Sequence, residues 1–595
     1  MANRERACIR MHPERDRLDY GTLLAAPEGH RLDSAIGTSY TLDLDTLLTI
    51  SVALGDLGPL EGDLLSRKNL LIKALENVSE KVGIFYQKGR LKIPAKYQNV
   101  YILLEEALHE IPMEFGHSFH PKVWLLRFVE KEKETVRYRL IVGSRNMTFD
   151  KSWDIAMSIE GNVGPTMGNH KSAREFFESF DDRFDTRFPD FDQVTWETEP
   201  PLRNGSLEVL PLVGGQRVNP LSDALRRRYD NILVVSPFLS ATTLRAFEKY
   251  VDPSGGCLLF SRALALNKIG DRDLSRWQCH TINERILDGS ERIEEGDELF
   301  DLHAKMIVAE RGNMCAWYIG SANATVSGMG LDGTPARNTE CMLKFTTQKS
   351  DAGIDLLKES WLAENEESSL FVPHTFEAID DEALGEDAFQ ILLDRVAKPV
   401  WTLHAKRENE DHYTLTLRCE KMPLSEEERF GIEISPLGLD HWKPIDTTLM
   451  WENTPLTKIS AFIQFRIDMD GTKTYAMIKA TLEMEKPQRR NAALYREIFD
   501  DRKKVLEYIR LHLDSSLGET ARMSSGYMVS ASSGERNDEA DTLPLFEELM
   551  LSAVRHGEDL KEMGKTLKFF EQERIEVPRH FLQIWKVFEE YLHAR

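Results

Sequence analysis

The sequence predicts an α/β protein of two pseudo-symmetric lobes, each a mixed sheet flanked by helices, followed by a β-rich domain and a helical C-terminal region. Three observations support this class. Strand-like apolar segments alternate with helical ones along the first two thirds of the chain, that stretch contains an internal repeat, and beyond about residue 376 the pattern changes to alternating strands. Strands that alternate with helices are typical of sheets whose faces are covered by helices.

The length of 595 residues exceeds what one hydrophobic core normally supports, so several domains are expected. A Ser/Gly/Asp-rich stretch near the end of the chain has the composition of a linker. We expect an N-terminal extension at 1–37, lobe 1 at 38–190, lobe 2 at 205–375, a β-rich domain at 376–485, and a helical C-terminal region at 486–595 with a flexible linker near 515–541.

The composition argues against several classes of protein. Hydrophobic residues make up 41% of the chain, and no apolar run approaches the roughly 20 residues that span a bilayer, so we expect no membrane span. The N-terminus lacks the apolar stretch of a secretory signal, so we expect a cytoplasmic protein. The net charge of −23 argues against a surface that coats nucleic acid, because such binding depends on phosphate neutralisation. An anionic substrate would need a local positive site.

The repeat is a series of apolar and helical segments that occurs twice. In the second copy, residues 231–238 predict a buried strand, residues 242–250 a helix and residues 257–261 another strand. The corresponding segments of the first copy are, in order, the apolar residues 47–54, the helical residues 64–81 and the strand-like residues 82–86.

Each copy then carries the same polar motif at two strand ends. The first copy has His120-Pro-Lys122 and Gly143-Ser-Arg-Asn146, and the second has His303-Ala-Lys305 and Gly320-Ser-Ala-Asn323. Because side chains alternate along a strand, a histidine and a lysine two positions apart point the same way. A phosphate group needs a cation, hydrogen-bond donors and a nucleophile that converge. One His-x-Lys is most often ordinary, but the doubled, ordered motif predicts one site built from two half-sites.

These residues resemble the HKD motif of the phospholipase D superfamily, and the resemblance covers roughly residues 38–375. Acidic residues follow in both copies, at Asp154 and Glu340. The resemblance implies that a carboxylate at such a place orients a histidine of the site and fixes its tautomer.

The resemblance also implies a metal-independent phosphodiesterase. One histidine attacks phosphorus to give a phosphohistidine, and the other protonates the leaving oxygen and then activates water. We expect His120 as the nucleophile and His303 as the acid and base. No metal or cofactor is required, because lysines and hydrogen-bond donors supply the stabilising charge. The residues implied to hold the non-bridging oxygens are Lys122, Lys305, Asn146 and Asn323, with Ser144 and Ser321 assisting.

The chain departs from the family pattern at one position. The family's aspartate, which follows the lysine after four intervening residues, is replaced by Arg127 in the first copy and Glu310 in the second. In this respect the chain resembles the tyrosyl-DNA phosphodiesterase branch and some nucleases, which also lack this aspartate. The missing aspartate weakens a lipase assignment more than it weakens phosphodiester chemistry.

The substrate is a further expectation, because superfamily members cleave lipids, nucleic acids and protein–DNA adducts. The chain has no basic amphipathic helix for a lipid surface, and its acidic balance disfavours anionic bilayers. We therefore expect a nuclease that acts on DNA more than on RNA, similar to the phospholipase D-like nucleases of restriction and anti-phage defence, with a helicase or ATPase as partner protein. The sequence also allows a homodimer.

Two alternatives remain open at this stage. One is a lipid or small-molecule phosphodiesterase or phosphatidyltransferase. The other is a nucleic-acid-binding subunit of a defence complex, in which turnover is secondary.

Other matches are interpreted as ordinary structure. His404-Ala-Lys406 repeats the tripeptide of the second copy, but no Gly-Ser-x-Asn follows it, so we assign it to a simple β-strand. The GxGxxG match at residues 328–333 follows no strand-to-helix turn and is assigned to a loop. His117 is interpreted as a solvated loop histidine, and Arg489-Arg490 as a solvated helix face.

Overall fold

The structure of the protein is a computed structural model. It describes residues 11, 20–55, 68–130, 135–149, 152–165, 168, 170–197, 206–216, 219–283, 301–331, 333–362, 369–378, 386–469, 472–499, 504–506, 508–509, 549, 557–572 and 574–593. The linker predicted near 515–541 and residues 1–10 of the predicted extension lie outside these ranges.

The first part of the chain forms a mixed sheet covered by helices. Its sheet has the strand order β11-β10-β8-β7-β1-β3-β5, with β1 parallel to β3 and antiparallel to β7. The helices are Tyr20–Leu24, Leu44–Leu54, Lys68–Lys81, Lys171–Glu178 and Phe184–Arg187, with 3₁₀ turns at Asn99–Leu104 and Phe191–Gln193. The strands are β1 (His30–Ser39), β2 (Leu42–Asp43), β3 (Val82–Gln87), β4 (Leu91–Lys92), β5 (Leu108–Ile111), β6 (Ser118–Phe119), β7 (Val123–Glu130), β8 (Val136–Gly143), β9 (Ser152–Trp153), β10 (Ala156–Val163) and β11 (Val194–Trp196).

The apolar segment at residues 47–54 is part of a helix, where the repeat had suggested a strand. The helix Leu44–Leu54 begins at Asp43, whose carboxylate accepts a hydrogen bond from the Asp45 N–H, and it ends at Gly55. A short, fully apolar run does not separate a buried strand from a buried helix by periodicity, and here the N-cap decides. The strand itself is β1, so the expected lobe boundary at residue 38 falls inside it.

The second part of the chain forms a sheet with an equivalent core. Its strand order is β12-β19-β18-β17-β13-β14-β15-β20. The helices are Pro220–Leu225, Ala241–Glu248, Ala263–Ile269, Val326–Met329, Lys349–Ala352 and Ile354–Trp361. The strands are β12 (Ser206–Leu212), β13 (Asn231–Val235), β14 (Cys257–Phe260), β15 (Trp277–Ile282), β16 (Asp301–Leu302), β17 (Met306–Arg311), β18 (Met314–Gly320), β19 (Asn338–Gln348) and β20 (Phe371–Pro373).

The two sheets correspond strand by strand. The run β10-β8-β7-β1-β3-β5 in the first has the same order and directions as β19-β18-β17-β13-β14-β15 in the second. The correspondence extends to single residues, because Ser39 Oγ accepts from the Met147 N–H just as Ser236 Oγ accepts from the Ala324 N–H. The α/β class with mixed sheets is therefore as predicted.

Two short strands cross between the halves. β6, which precedes His120, pairs in parallel with the start of β19, and β16, which precedes His303, pairs in parallel with β9. Each histidine segment of one half is thus held against a strand of the other half.

Residues 401–484 form β-structure beside the first sheet. One sheet has the order β25-β22-β21-β28, and the other has the order β2-β4-β27-β26-β23-β24, so two strands of the first part of the chain complete it. Between the sheets lies a core that includes Trp401, Trp451 and Phe465. The strands are β21 (Trp401–Arg407), β22 (His412–Cys419), β23 (Ile432–Pro436), β24 (Lys443–Pro444), β25 (Thr448–Pro455), β26 (Phe462–Met469), β27 (Thr472–Lys479) and β28 (Thr481–Met484), with helices Glu386–Ala397 and Glu426–Arg429 and a 3₁₀ turn at Leu456–Lys458.

The C-terminal helices enlarge the core of the first part of the chain. They are Gln488–Ile498, Gly557–Gln572 and Arg579–His593. The three-to-four-residue spacing of apolar residues near the end predicted packing, and Phe581, Trp585 and Phe588 are buried against the same cluster as Leu47 and Leu75. In the part of the chain that the structure describes, no helix has the length and apolarity to cross a membrane.

A buried ion pair joins the helix Gln488–Ile498 to the first part of the chain, and it corrects the interpretation of Arg490 as solvated. Arg490 Nη2 lies 2.7 Å from Glu105 Oε2, and both side chains are only 7% exposed. The second oxygen of Glu105 accepts from the Ala461 N–H at 2.8 Å. The neighbouring Arg489 is exposed, as expected. Only tertiary packing distinguishes these two arginines.

We expect Arg490→Met to lower the thermal unfolding midpoint, because it leaves the buried Glu105 carboxylate without its cation. Removal of one partner of a buried ion pair costs about 3 kcal/mol. Differential scanning fluorimetry measures this change, and Arg489→Met on the same helix is the control that should leave the midpoint unchanged. Equal midpoints for the two variants would contradict a structural role for the pair.

Candidate active site

The two His-x-Lys segments lie directly before β7 and β17, and both adopt the same local structure. Lys122 Nζ donates to the carbonyl oxygen of His120 at 2.7 Å, and Lys305 Nζ donates to that of His303 at 2.6 Å. Both lysines are buried, at 5% and 0% exposure. The predicted cations therefore lie beside the histidines of their own half-sites, removed from bulk water.

Each histidine is bound by the carboxylate of the other half. His120 Nδ1 lies 3.0 Å from Glu340 Oε2, and His303 Nδ1 lies 2.8 Å from Asp154 Oδ1. The sequence predicted that a carboxylate orients each histidine but did not indicate this exchange. The exchange joins the two half-sites into one centre, because neither histidine has its carboxylate within its own copy.

The crossing strands account for the exchange. The His120 N–H donates to the carbonyl of Thr339, the residue before Glu340, and the His303 N–H donates to that of Trp153, the residue before Asp154. Because the backbones pair at these points, the carboxylate one residue further on faces the imidazole.

Further side chains hold the two carboxylates. Ser144 Oγ and Ser152 Oγ each donate to Asp154 at 2.7 Å. Asn338 Nδ2 donates to Glu340 Oε1 at 3.0 Å. Ser152 and Asn338 occupy equivalent places, each two residues before its carboxylate, although the residue types differ.

The two serines of the Gly-Ser-x-Asn motifs, which were expected to assist in holding the non-bridging oxygens, make hydrogen bonds within the protein. Ser144 and Ser321 are both fully buried. Ser144 donates to Asp154, whereas Ser321 Oγ accepts from the Cys341 N–H at 3.0 Å. Each serine also bonds to the backbone of the residue directly after a carboxylate, Ile155 or Cys341, and so helps to hold that segment in place.

The two asparagines differ in their contacts. Asn146 Oδ1 accepts a hydrogen bond from the Tyr40 N–H at 3.3 Å. Asn323 is 8% exposed, and its Oδ1 has no hydrogen-bond partner among the described residues. A buried polar atom without a partner costs free energy unless a bound group satisfies it, so Asn323 has unused hydrogen-bonding capacity at the site.

The electrostatics of the site favour neutral histidines. Burial lowers the pKa of His120 from 6.5 to about 4, although Glu340 opposes the shift. Burial and the Lys305 charge likewise lower the pKa of His303. Burial also lowers the pKa of Lys122 well below its usual range.

The pKa of Asp154 moves in the opposite direction from that of a simply buried acid. Burial raises it, but hydrogen bonds from His303, Ser144 and Ser152 outweigh burial and bring the pKa to about 2. At neutral pH the Asp154 carboxylate is charged and accepts the Nδ1 proton of His303. The assigned tautomer then leaves the Nε2 lone pair of the imidazole available for attack or proton transfer.

Sequence reasoning missed three residues that shape the site. The Tyr40 ring lies 5.1 Å from the His120 ring, between centroids. Gln87 Oε1 accepts from the Phe119 N–H at 2.9 Å, and Arg262 Nε donates to the Leu302 carbonyl at 2.9 Å, so both hold the residue before a catalytic-site histidine. The sequence signal for Gln87 and Arg262 was their common position at the ends of β3 and β14, but the difference in residue type hides it.

Arg127 and Glu310, which stand where the HKD motif has an aspartate, each bind residues of their own half. Arg127 binds Asp190 through two bonds, at 3.0 and 2.8 Å, and also pairs with Asp33. Glu310 accepts from the Ile354 N–H at 2.8 Å and from Asn231 Nδ2 at 2.9 Å. Both positions tie the histidine-bearing strand to its neighbours, with opposite charge.

The control motifs behave largely as ordinary structure. His404 lies in β21 and is exposed, 3.7 Å from Glu483, as predicted. The loop predicted for the GxGxxG match is only partly found. Its first glycine lies in the short helix Val326–Met329, which is capped by Thr325, and its second, Gly330, ends that helix in the left-handed conformation. His117 lines an open pocket of about 570 Å³ together with Gln87.

Comparison with known proteins gives limited matches. No family model and no curated protein matches the chain. Among solved structures, the yeast tyrosyl-DNA phosphodiesterase is 14% identical and matches 55% of this chain and 86% of that chain with a TM-score of 0.37. A polyphosphate kinase from Porphyromonas gingivalis is 14% identical and matches 55% of this chain and 44% of that chain with a TM-score of 0.29. The chemical argument therefore rests on the site geometry.

We expect the folded protein to lose stability as the pH falls from about 6.5 to 4. His120 takes up a proton near pH 6.5 when unfolded but only near 4 when folded, so acid favours the unfolded state by about 3 kcal/mol from this group. His120→Gln should reduce the fall in thermal midpoint between pH 7 and pH 4.5. The exposed His404→Gln is the control, and an identical pH dependence in both variants would show that His120 is not held neutral.

Proposed function

We propose that the protein is a metal-independent phosphodiesterase that acts on nucleic acid, DNA more than RNA. The observation that carries the proposal is the pair of histidines, each bound at Nδ1 by the other half's carboxylate, with a buried lysine beside each. Such a centre supplies a nucleophile, a proton carrier and positive charge without a metal ion.

In the first step, His120 Nε2 attacks phosphorus. A P–N bond forms, the bond from phosphorus to the leaving oxygen breaks, and protonated His303 gives its proton to that oxygen. The anionic diester favours the protonated form of His303, since a negative charge nearby offsets the effect of Lys305. The Asp154 carboxylate, held in its charged form, stabilises the imidazolium.

In the second step, water attacks phosphorus and His303 accepts its proton. The P–N bond breaks, which returns His120 and releases a phosphomonoester. Lys122, Lys305, Asn146 and Asn323 are the groups that we assign to the non-bridging oxygens, and the free Oδ1 position of Asn323 supports this assignment because amide orientation can place a donor there.

A partly exposed aromatic ring, linked through Arg262 to the segment before His303, supports a nucleic-acid substrate. Phe238 is 50% exposed, and the Arg262 guanidinium lies 4.9 Å from its ring centroid. Arg262 is fixed by the Leu302 carbonyl and by Asp301 at 2.8 Å, directly before His303. An exposed ring backed by a fixed cation is suited to stacking an unpaired base.

We extend the proposal to a role in anti-phage defence or restriction, with a helicase or ATPase as partner protein and with the chain as a monomer or a homodimer. This extension rests on the motif resemblance alone. The alternative of a lipid phosphodiesterase is tested by release of headgroup from vesicles under the same conditions.

We expect His120→Ala and His303→Ala each to lower the cleavage rate of labelled single- or double-stranded DNA about 1,000-fold or more, because each removes one half of the centre. The wild type should retain full activity in excess EDTA. His404→Ala is the matched control, since it lies in the same tripeptide on an exposed strand, and it should cleave like the wild type. Full activity in either active-site variant would exclude this mechanism.

Phe238→Ala should weaken binding of single-stranded DNA about 10-fold, in line with a stacking contribution of about 1–3 kcal/mol per base, and should leave thermal stability unchanged. Fluorescence anisotropy with a short oligonucleotide measures this. Phe430→Ala, at a ring that is 93% exposed in the β-region, is the control. Unchanged affinity in Phe238→Ala would argue against a stacking role.

A further inference from the structure

A chain of contacts runs from the β-region to one histidine of the site. Asp394, in the helix Glu386–Ala397, lies 2.6 Å from Arg90 Nη2, and the Arg90 side chain is 7% exposed. Arg90 Nε donates to the Tyr40 hydroxyl at 2.8 Å, and its guanidinium lies 5.4 Å from the centre of the Tyr40 ring. Arg90 therefore fixes both the hydroxyl and one face of this tyrosine.

Tyr40 in turn contacts three residues of the first half-site. Its ring centroid lies 5.1 Å from that of His120 and 5.8 Å from Lys122 Nζ. Its backbone N–H donates to Asn146 Oδ1 at 3.3 Å. A rotation of the Tyr40 ring would therefore remove its packing contacts with the His120 imidazole and the Lys122 ammonium group.

Among the residues that the structure describes, the second half-site has no tyrosine at the position that matches Tyr40. Ser39 and Ser236 occupy matching positions at the ends of β1 and β13, and the residue that follows is Tyr40 in one case and Pro237 in the other. A proline ring offers no hydroxyl for an arginine to bind. The contact chain thus acts on His120 and not on His303.

We propose that Arg90 and Asp394 are positioning residues that act through Tyr40 on His120, so that the β-region outside the two motif-bearing halves sets the geometry of the attacking imidazole. This inference rests on the proposed function and names a residue pair that the motif resemblance does not include. Small misplacement of a reacting group is enough to slow the chemical step about 100-fold.

The effect should appear in kcat and not in KM, because neither Arg90 nor Asp394 is placed against the substrate. The loss of Arg90 frees the Tyr40 ring and admits water to the imidazole. The pKa of His120 should then rise from about 4 toward 6.5, while that of His303 stays as it is.

The test compares full-length Arg90→Gln, Asp394→Asn, their double variant and Tyr40→Phe with the wild type, with bis(4-nitrophenyl) phosphate as the probe. We expect kcat to fall about 10- to 100-fold with KM within about 2-fold, and the double variant to be no worse than Arg90→Gln alone because both residues belong to one chain of contacts. Tyr40→Phe keeps the ring but loses the hydroxyl and should show a smaller fall. Arg395→Gln is the control on the same helix, since Arg395 pairs with Glu428 inside the β-region, and it should match the wild type.

Titration of the histidines by NMR, with selective ¹⁵N labelling, separates this inference from the proposed function. If the wild type does not cleave the probe, the proposed function fails, but a higher His120 pKa in Arg90→Gln still supports the positioning role. A folded Arg90→Gln variant with wild-type kcat, or with an unchanged His120 pKa, overturns the inference. If Arg90→Gln does not fold, the same readouts in Asp394→Asn and Tyr40→Phe decide the question.

Discussion

The exchange of β6 and β16 between the two halves is the interaction on which the rest of the site depends. These two-residue strands pair with β19 and β9, and the pairing brings each histidine to the carboxylate of the other copy. A half-site folded by itself would hold a histidine and a lysine but no carboxylate for that histidine. The complete centre therefore exists only when both sheets are formed and in register, which makes the site a property of the pair.

Because charged side chains are buried in this centre, hydrogen bonds and ion pairs hold its side chains together. Lys122 and Lys305 are removed from water, which is costly unless opposite charge and hydrogen bonds compensate. Asp154 and Glu340 supply that charge, and Ser144, Ser152 and Asn338 fix their orientation. In a protein whose net charge is −23, the two lysines of this centre offer an anionic group a local binding place that the surface as a whole does not.

The β-region, residues 386–484, is joined to the part of the chain that contains Tyr40 and Arg90. Its sheet is completed by β2 and β4, which follow Tyr40 and Arg90 in the chain, and Met477 of β27 pairs with Leu91. The buried pair of Glu105 and Arg490 ties the helix Gln488–Ile498, which follows this region, to the first part of the chain. The Tyr40 ring that packs against His120 is therefore held by Arg90 and Asp394, which lie 304 positions apart in the chain.

The sequence by itself determined the residue types of the site, their spacing, the α/β class and much of the second half, where residues 231–235 and 257–260 are strands within the predicted segments. These features depend on local pattern, since the period of apolar residues and the order of a motif are written along the chain. The repeat suggested a strand at the apolar residues 47–54, where the structure has the helix Leu44–Leu54 with its N-cap at Asp43. Tertiary structure alone decided which carboxylate serves which histidine, which of two adjacent arginines is buried, and that Tyr40 faces His120. These contacts join residues tens to hundreds of positions apart, and their partners are set by strand pairing and packing, which leave no periodic trace in the sequence.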